Sequence, residues 1–515
     1  MTKTKVAPAR GGIPRGLSRT GPVLFSYGFR PFFLGGAVWA VLAMALWIAA
    51  VSGHAQPGGD YGAANWHMHE MLFGFASAVL SGFLMTAVPN WTGRMPLSGR
   101  PLMALAALWL IGRLALTFPP AGAVWLGVLA DALFLPVMAA VFAIEIIAGR
   151  KWRDLKVVGA VTVLALANLG FHLAALGGGD TGMAARLAIS AYIMLIVIIG
   201  GRITPSFTRN WLARRGPGPL PIPYNRFDTL VACASGATLA AWVLAPESAA
   251  VAVLGPVAAA LNLARMLRWR GWRTWAEPLV LALHGGYAML ALGFAAIGLS
   301  GLGLLSTAGA LHVFAVGAVG GEMLAVMGRA TRGHTGRALT ASTLTGISYV
   351  AIWAAAVLRP LAEFGDYDML VHLAGGAWML GFGLYVLEYA PMLLRARKDL
   401  RALSSQPFRR SRSRNPLPSV AGFPAHWCPA APSSASSAAG SSASSANSTS
   451  PGGIRWKVAS RRCAASSGLR SVRSRWAIGS GQPKASSALP APSPRAAGAK
   501  SICQPLSASR ISLCS

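Results

Sequence analysis

Residues 66–94 read WHMHEMLFGFASAVLSGFLMTAVPNWTGR, and an apolar stretch near 70–89 dominates them. Roughly 20 apolar residues in a helix suffice to cross a bilayer, so this stretch is long enough. Eleven more of the same kind lie around it, near 32–51, 101–117, 122–148, 157–177, 183–203, 227–245, 249–267, 277–297, 303–327, 338–358 and 369–394. The first is not a cleavable leader: about thirty residues precede it, Trp39 and Trp47 lie within it, and it lacks a small-residue cleavage site. Composition agrees. Of 515 residues 54% are hydrophobic and only 12% are charged, where a soluble chain would carry about a quarter charged. A soluble multi-domain enzyme is excluded.

The basic residues test the count of twelve independently. Lys3, Lys5, Arg10, Arg15, Arg19 and Arg30 precede or open the first stretch. Every second connection is then basic: Arg94 and Arg100, four residues in 150–156, five in 202–226, four in 265–273 and three in 329–337. The alternate connections hold none except Arg359. Translocating positive charge is unfavourable, so basic loops stay in the cytoplasm. The expectation is an all-α integral membrane protein with twelve transmembrane helices and both termini cytoplasmic. Three segments follow: a cytoplasmic N-terminal segment (1–31), the twelve-helix domain (32–397) and a basic tail (398–515).

The formal net charge of +31 does not signal nucleic acid. Residues 1–400 carry 30 Lys and Arg against all 15 acids, and residues 401–515 carry the other 16 with no acid. Half the excess therefore sits in a Ser/Ala/Arg/Pro tail without periodicity, which is expected to be disordered. The absence of Asp and Glu over those 115 residues favours a frameshifted reading of the gene over a genuine domain. Cys428, Cys463, Cys503 and Cys514 also fall there, leaving only Cys233 in the apolar body. A disulfide framework or thiolate zinc site is thereby excluded from the body.

Ionisable groups are costly inside a bilayer, so their positions carry information. His54, His67, His69, His172 and His372 fall towards the outer surface, and His284 and His312 fall deeper. Counted inward from opposite ends of neighbouring antiparallel helices, His284 and His312 reach roughly 12 and 13 Å. Imidazoles at matched depth suit a haem or a metal in a bundle core. Alternatively each bonds a backbone carbonyl or Tyr287. In WHMHE, an extended entry segment would turn His67 and His69 to one side and one ion. On a helix they diverge by about 200° and serve two centres. Glu70 lies within helical reach of His67 as an orienting partner. Imidazole ligands suit copper, zinc or haem iron.

A second constellation sits at the cytoplasmic ends. PNWTGR (89–94), GGRITPSFTRN (200–210) and RATRGHTGR (329–337) each follow an outward-to-inward span, and Arg30 of YGFRPFF is level with them. Their Arg, Asn and His side chains would suit haem propionates or an anionic substrate. The plainer reading has Arg snorkelling and Gly and Pro ending helices.

With the upstream FRPFF, the opening segment resembles the NnrS family of bacterial inner-membrane proteins. GGRITPSFTRN and HVFAVGAVGGEMLAVMGRATRGHTGR resemble later signatures of that family in the same order, so the likeness runs from about Tyr27 to Arg397. The resemblance implies a twelve-helix protein containing haem and copper that handles nitric oxide and relieves nitrosative stress. If it is an enzyme, it is an oxidoreductase acting on nitric oxide, and its redox partner is unidentified. Motif by motif, the implied site residues are His67, His69 and Glu70; Asn90 and Arg94; Arg202, Thr208 and Asn210; His284; and His312 and His334. Metal falls to His67, His69, His284 and His312, and cofactor contacts fall to His284, His312, His334, Arg202, Asn210, Asn90 and Arg94. His172 and His372 match no family motif and stay candidates on their own chemistry. The competing reading is a twelve-helix secondary transporter of a small solute or metal complex. Against it, no major-facilitator Asp-Arg-x-Gly-Arg segment and no repeat between halves is present. A haem–copper oxidase subunit would need two adjacent histidines and a late His-x-His, which the chain lacks.

Overall fold

The computed structural model describes residues 21–119 and 122–397, and every regular element among them is helical. Twelve helices are long and apolar enough to cross a membrane. We number them spans 1 to 12: Phe29–Val51, Ala63–Thr92, Arg100–Thr117, Val124–Ala148, Trp152–Leu176, Gly182–Ala213, Arg226–Leu244, Ala249–Leu267, Pro278–Gly301, Thr307–His334, Thr343–Leu361 and Tyr367–Leu394. The chain is a multi-pass membrane protein. The segment before residue 21 and the basic tail from 398 lie outside the described residues.

Burial ranks the spans. Of the most apolar window in each, 89% is buried in span 2, 67% in spans 9 and 10 and 50% in span 6, against 28–39% in the other eight. A helix apolar all round is either lipid-exposed or central, and burial separates the two here. Spans 2, 6, 9 and 10 form the interior. At the edge, Arg30 donates to the Leu393 carbonyl at 2.6 Å and the Arg395 carbonyl at 2.9 Å. The start of span 1 and the end of span 12 therefore meet on one side, as an even number of crossings requires. That side also carries the arginine-rich connections, and we call it the basic-loop side.

Spans 2, 6 and 10 overrun the lengths read from sequence, reaching 30, 32 and 28 residues. The reason is that the motifs at their ends are helix rather than loop. Pro89 and Pro205 sit inside helices. A proline leaves the carbonyl four residues back without its helical donor; for Pro205 that is Gly201, whose oxygen instead faces Arg265 Nη2 at 3.5 Å. Span 2 stops only after Thr92, where Gly93 takes φ 73°, a left-handed cap that glycine adopts without strain.

The same three spans each contain a π-helical segment: Glu70–Phe75, Ile196–Gly200 and Val313–Gly320. The wider turn loosens the main-chain ladder, and in a membrane the freed carbonyls need donors from the protein. In spans 2 and 6 neighbouring side chains supply them. Tyr192 Oη donates to the Leu72 carbonyl at 2.8 Å and Trp109 Nε1 to that of Gly74 at 2.9 Å. Arg265 Nη1 donates to that of Val197, also at 2.9 Å.

Candidate metal centre

Spans 3 and 4 carry opposite charges that small residues bring together. A Cβ at Gly127 would lie 2.8 Å from the Ala115 backbone, and one at Gly112 would lie 3.1 Å from Asp131 Cα. With no side chain at either position the helices close up, and Arg113 pairs with Asp131 through Nη2 and Oδ1. On span 5, Asn168 and His172 are four residues apart and so share a face. On span 2, His69 ends the α-helical segment and Glu70 opens the π-helical one. All six side chains are buried.

They form one network. Asp131 Oδ2 receives Asn168 Nδ2 at 2.7 Å, with His172 Nε2 at 2.9 Å and His69 Nε2 at 3.1 Å. His69 Nε2 also faces Asn168 Oδ1 at 2.9 Å, and its Nδ1 faces Glu70 Oε1 at 3.1 Å. Tyr61, ahead of span 2, sets its hydroxyl 3.1 Å from His172 Nδ1. Glu70 Oε2 accepts from Trp39 Nε1 at 2.7 Å and lies 3.4 Å from Arg113 Nε.

Two features favour a cation. Both ring nitrogens of His69 point at oxygen acceptors, so a neutral imidazole leaves one lone pair against another. Two carboxylates and one guanidinium leave one uncompensated negative charge in an apolar interior, which is costly. An extra proton or a bound metal ion cures both defects. One ligand atom each from His69, Asp131 and His172 lies within 4.8 Å of the others, and two imidazoles with a carboxylate suit a first-row divalent ion or copper.

A family model described as NnrS protein matches residues 23–397. The chain belongs to the NnrS family. No match is found among curated proteins.

The remaining expected site residues of this NnrS-family chain scatter around that centre. His67 and His69 lie on one helix and diverge to two environments: His67 stacks on Trp47 at 4.3 Å between ring centres, and its Nδ1 has no partner. Glu70 orients His69 rather than His67. His312 bonds the Ala308 carbonyl through Nδ1 at 2.7 Å. His284 sits elsewhere, with Nε2 2.8 Å from Thr208 Oγ1, Nδ1 unpartnered and Gly271 pressed on its ring. His284 is the seventh residue of span 9 and His312 the sixth of span 10. Each lies about 8–9 Å from its own helix start, but the two starts are on opposite sides. The structure does not bring these two histidines together.

The basic-loop side is equally dispersed. Arg94 pairs with Glu145 at 2.5 Å, Arg202 lies 5.2 Å from the Tyr224 ring centre, and His334 packs on Tyr27 and Phe29. Asn90 is exposed and Asn210 half-buried. His372 is half-buried and bonds Ser52 at 2.9 Å. Sequence reasoning missed Asp131, Arg113, Asn168, Tyr61 and Trp39. The signal was present in Arg113 and Asp131, opposite charges inside consecutive apolar stretches.

Proposed function

We propose that this NnrS-family protein is a haem- and copper-containing protein of the bacterial inner membrane that binds or turns over nitric oxide and so relieves nitrosative stress, with its basic-loop side in the cytoplasm. The observation that carries the metal half of this reading is the buried donor set of His69, Asp131 and His172. When bound there, copper supplies one-electron exchange with a small ligand. The protein's own residues do the positioning. Glu70 fixes the His69 ring through Nδ1, Tyr61 fixes His172, and Arg113 holds the far oxygen of Asp131. Such outer partners set ligand orientation and basicity.

Haem fits the described residues less well. A groove of about 590 Å³ between spans 9 and 11 has room for a macrocycle, yet Tyr349 and Trp353 are its aromatic lining and no histidine reaches it. His67 and His284, each with an unpartnered Nδ1, are donors left for a haem iron.

The test is copper content of the purified full-length chain after anaerobic reconstitution. His69→Ala and His172→Ala should each lose copper, while His372→Ala, outside the network, keeps it. Nitric oxide should perturb the copper signal of the wild type. Full copper retention in both buried-histidine variants would reject this centre.

A further inference from the structure

Spans 2, 6 and 10 do not close completely against one another. A cavity of about 80 Å³ remains, lined by Val79 and Leu80 of span 2, Leu195 and Ile199 of span 6, and Val319 and Glu322 of span 10. Phe83, Ile196, Met323 and Val326 at its margin are only half-buried, so small molecules have an approach. Glu322 is the anomaly. It is 4% exposed, and its Oε1 is buried without a hydrogen-bond partner. Span 9 presses it from behind, since a Cβ at Gly286 would lie 2.8 Å from Glu322 Cγ.

Water is a poor occupant. A buried water needs two to four polar partners, and apolar cavities that lack them stay dry yet take up gases such as xenon. The cavity offers little beyond one carboxyl group, because the Tyr192 O–H is given to the Leu72 carbonyl and only its oxygen is left to accept. A metal cation is a poor occupant too, with one carboxylate and no other charged ligand in the lining. An isolated carboxylate costs far more than the neutral acid in such surroundings, and the neutral acid has one O–H to donate. π-Helical turns also cluster at functional sites, and those of spans 6 and 10 border this cavity through Ile196, Ile199 and Val319.

We propose that the cavity is a docking site for a small neutral gas molecule, held by its apolar walls and by a hydrogen bond from the Glu322 carboxylic acid. The identity of that gas as nitric oxide rests on the function proposed above; the site itself rests on the cavity and on Glu322. It is separate from the metal centre, which draws on spans 2, 4 and 5.

The experiment pressurises the purified full-length protein with xenon for structure determination, and records infrared difference spectra with nitric oxide. Xenon should appear between Val79, Leu195 and Val319 in the wild type and in Glu322→Gln. It should be absent from Ile196→Trp, in which the indole fills the space; retained copper would show that this variant is folded. A carboxylic-acid C=O stretch should be present in the wild type, shift on nitric oxide addition and vanish in Glu322→Gln. Water or a cation beside Glu322 in place of xenon overturns the proposal, and so does a spectrum that Glu322→Gln leaves unchanged. Xenon bound in a protein that takes no copper would leave the cavity standing and sink the metal reading. Copper without xenon would do the reverse.

Discussion

Asp131 Oδ2 meets three nitrogen atoms at once, and its other oxygen is taken by Arg113. No residue of this group has a role apart from its neighbours. Removing Arg113 would strand Glu70 and Asp131 as buried charges, and breaking a buried ion pair from one side costs about 3–5 kcal/mol. Arg113→Ala should therefore lower the thermal unfolding midpoint of the purified protein sharply. Gly74 gives a finer probe. A Cβ there would lie 2.5 Å from Glu70 Oε2, 2.6 Å from Arg113 Nη1 and 3.0 Å from Trp39 Nε1. Overpacking of this kind costs about 1–3 kcal/mol, so Gly74→Ala should lose both stability and copper. Gly376→Ala, with nothing within 4 Å of the new Cβ, should lose neither. If the two alanine variants behave alike, packing around Glu70 is not what shapes the centre.

Three helices carry the irregular geometry, and neighbouring side chains make it tolerable. Arg265 is the clearest case: it pairs with Asp228 at 2.9 Å and donates to Val197 and Tyr287 at the same distance. Arg265→Ala should destabilise by more than a single neutral hydrogen bond, because Asp228 then keeps only Arg268 as an ion-pair partner, at 3.2 Å, and the Val197 carbonyl loses its donor. Tyr192→Phe removes only the bond to Leu72, and a loss of about 1 kcal/mol is expected. Equal effects in a detergent unfolding assay would show that the arginine contributes no more than a single neutral hydrogen bond. These helices were also where sequence reading fell short. Gly, Pro and Thr in GGRITPSFTRN read as punctuation, yet Pro205 lies within span 6 because Arg265, from span 8, answers the carbonyl that the proline leaves free.

Across the whole molecule, the alternation of basic and uncharged connections predicts which side faces the cytoplasm. A cytoplasmic reporter fused after Arg397 should be active, and one inserted in 359–368 should be silent. A chain ending near residue 400 should insert and hold copper like the full-length protein, since all twelve spans of the described residues lie before it. Loss of copper on that truncation would mean that the tail contributes to the centre.

The sequence alone determined the class of protein, the number of crossings and the family. Each follows from local quantities, namely the length of apolar runs, the placement of Lys and Arg, and short motifs in order. It also pointed to His69, whose neighbours in WHMHE marked it, and it left His172, like His372, a candidate without a motif. Only the tertiary structure decided what His69 meets. Asp131, Asn168 and His172 come from spans 4 and 5, and nothing in an apolar run records which of its faces turns towards which partner. The same limit explains His284 and His312. Residue counts fixed how far each lies from its helix end, but helix caps shift those ends, and rotation and side-chain packing select the partner. The central cavity belongs wholly to the tertiary level, because an unfilled volume arises only where three helices fail to interlock.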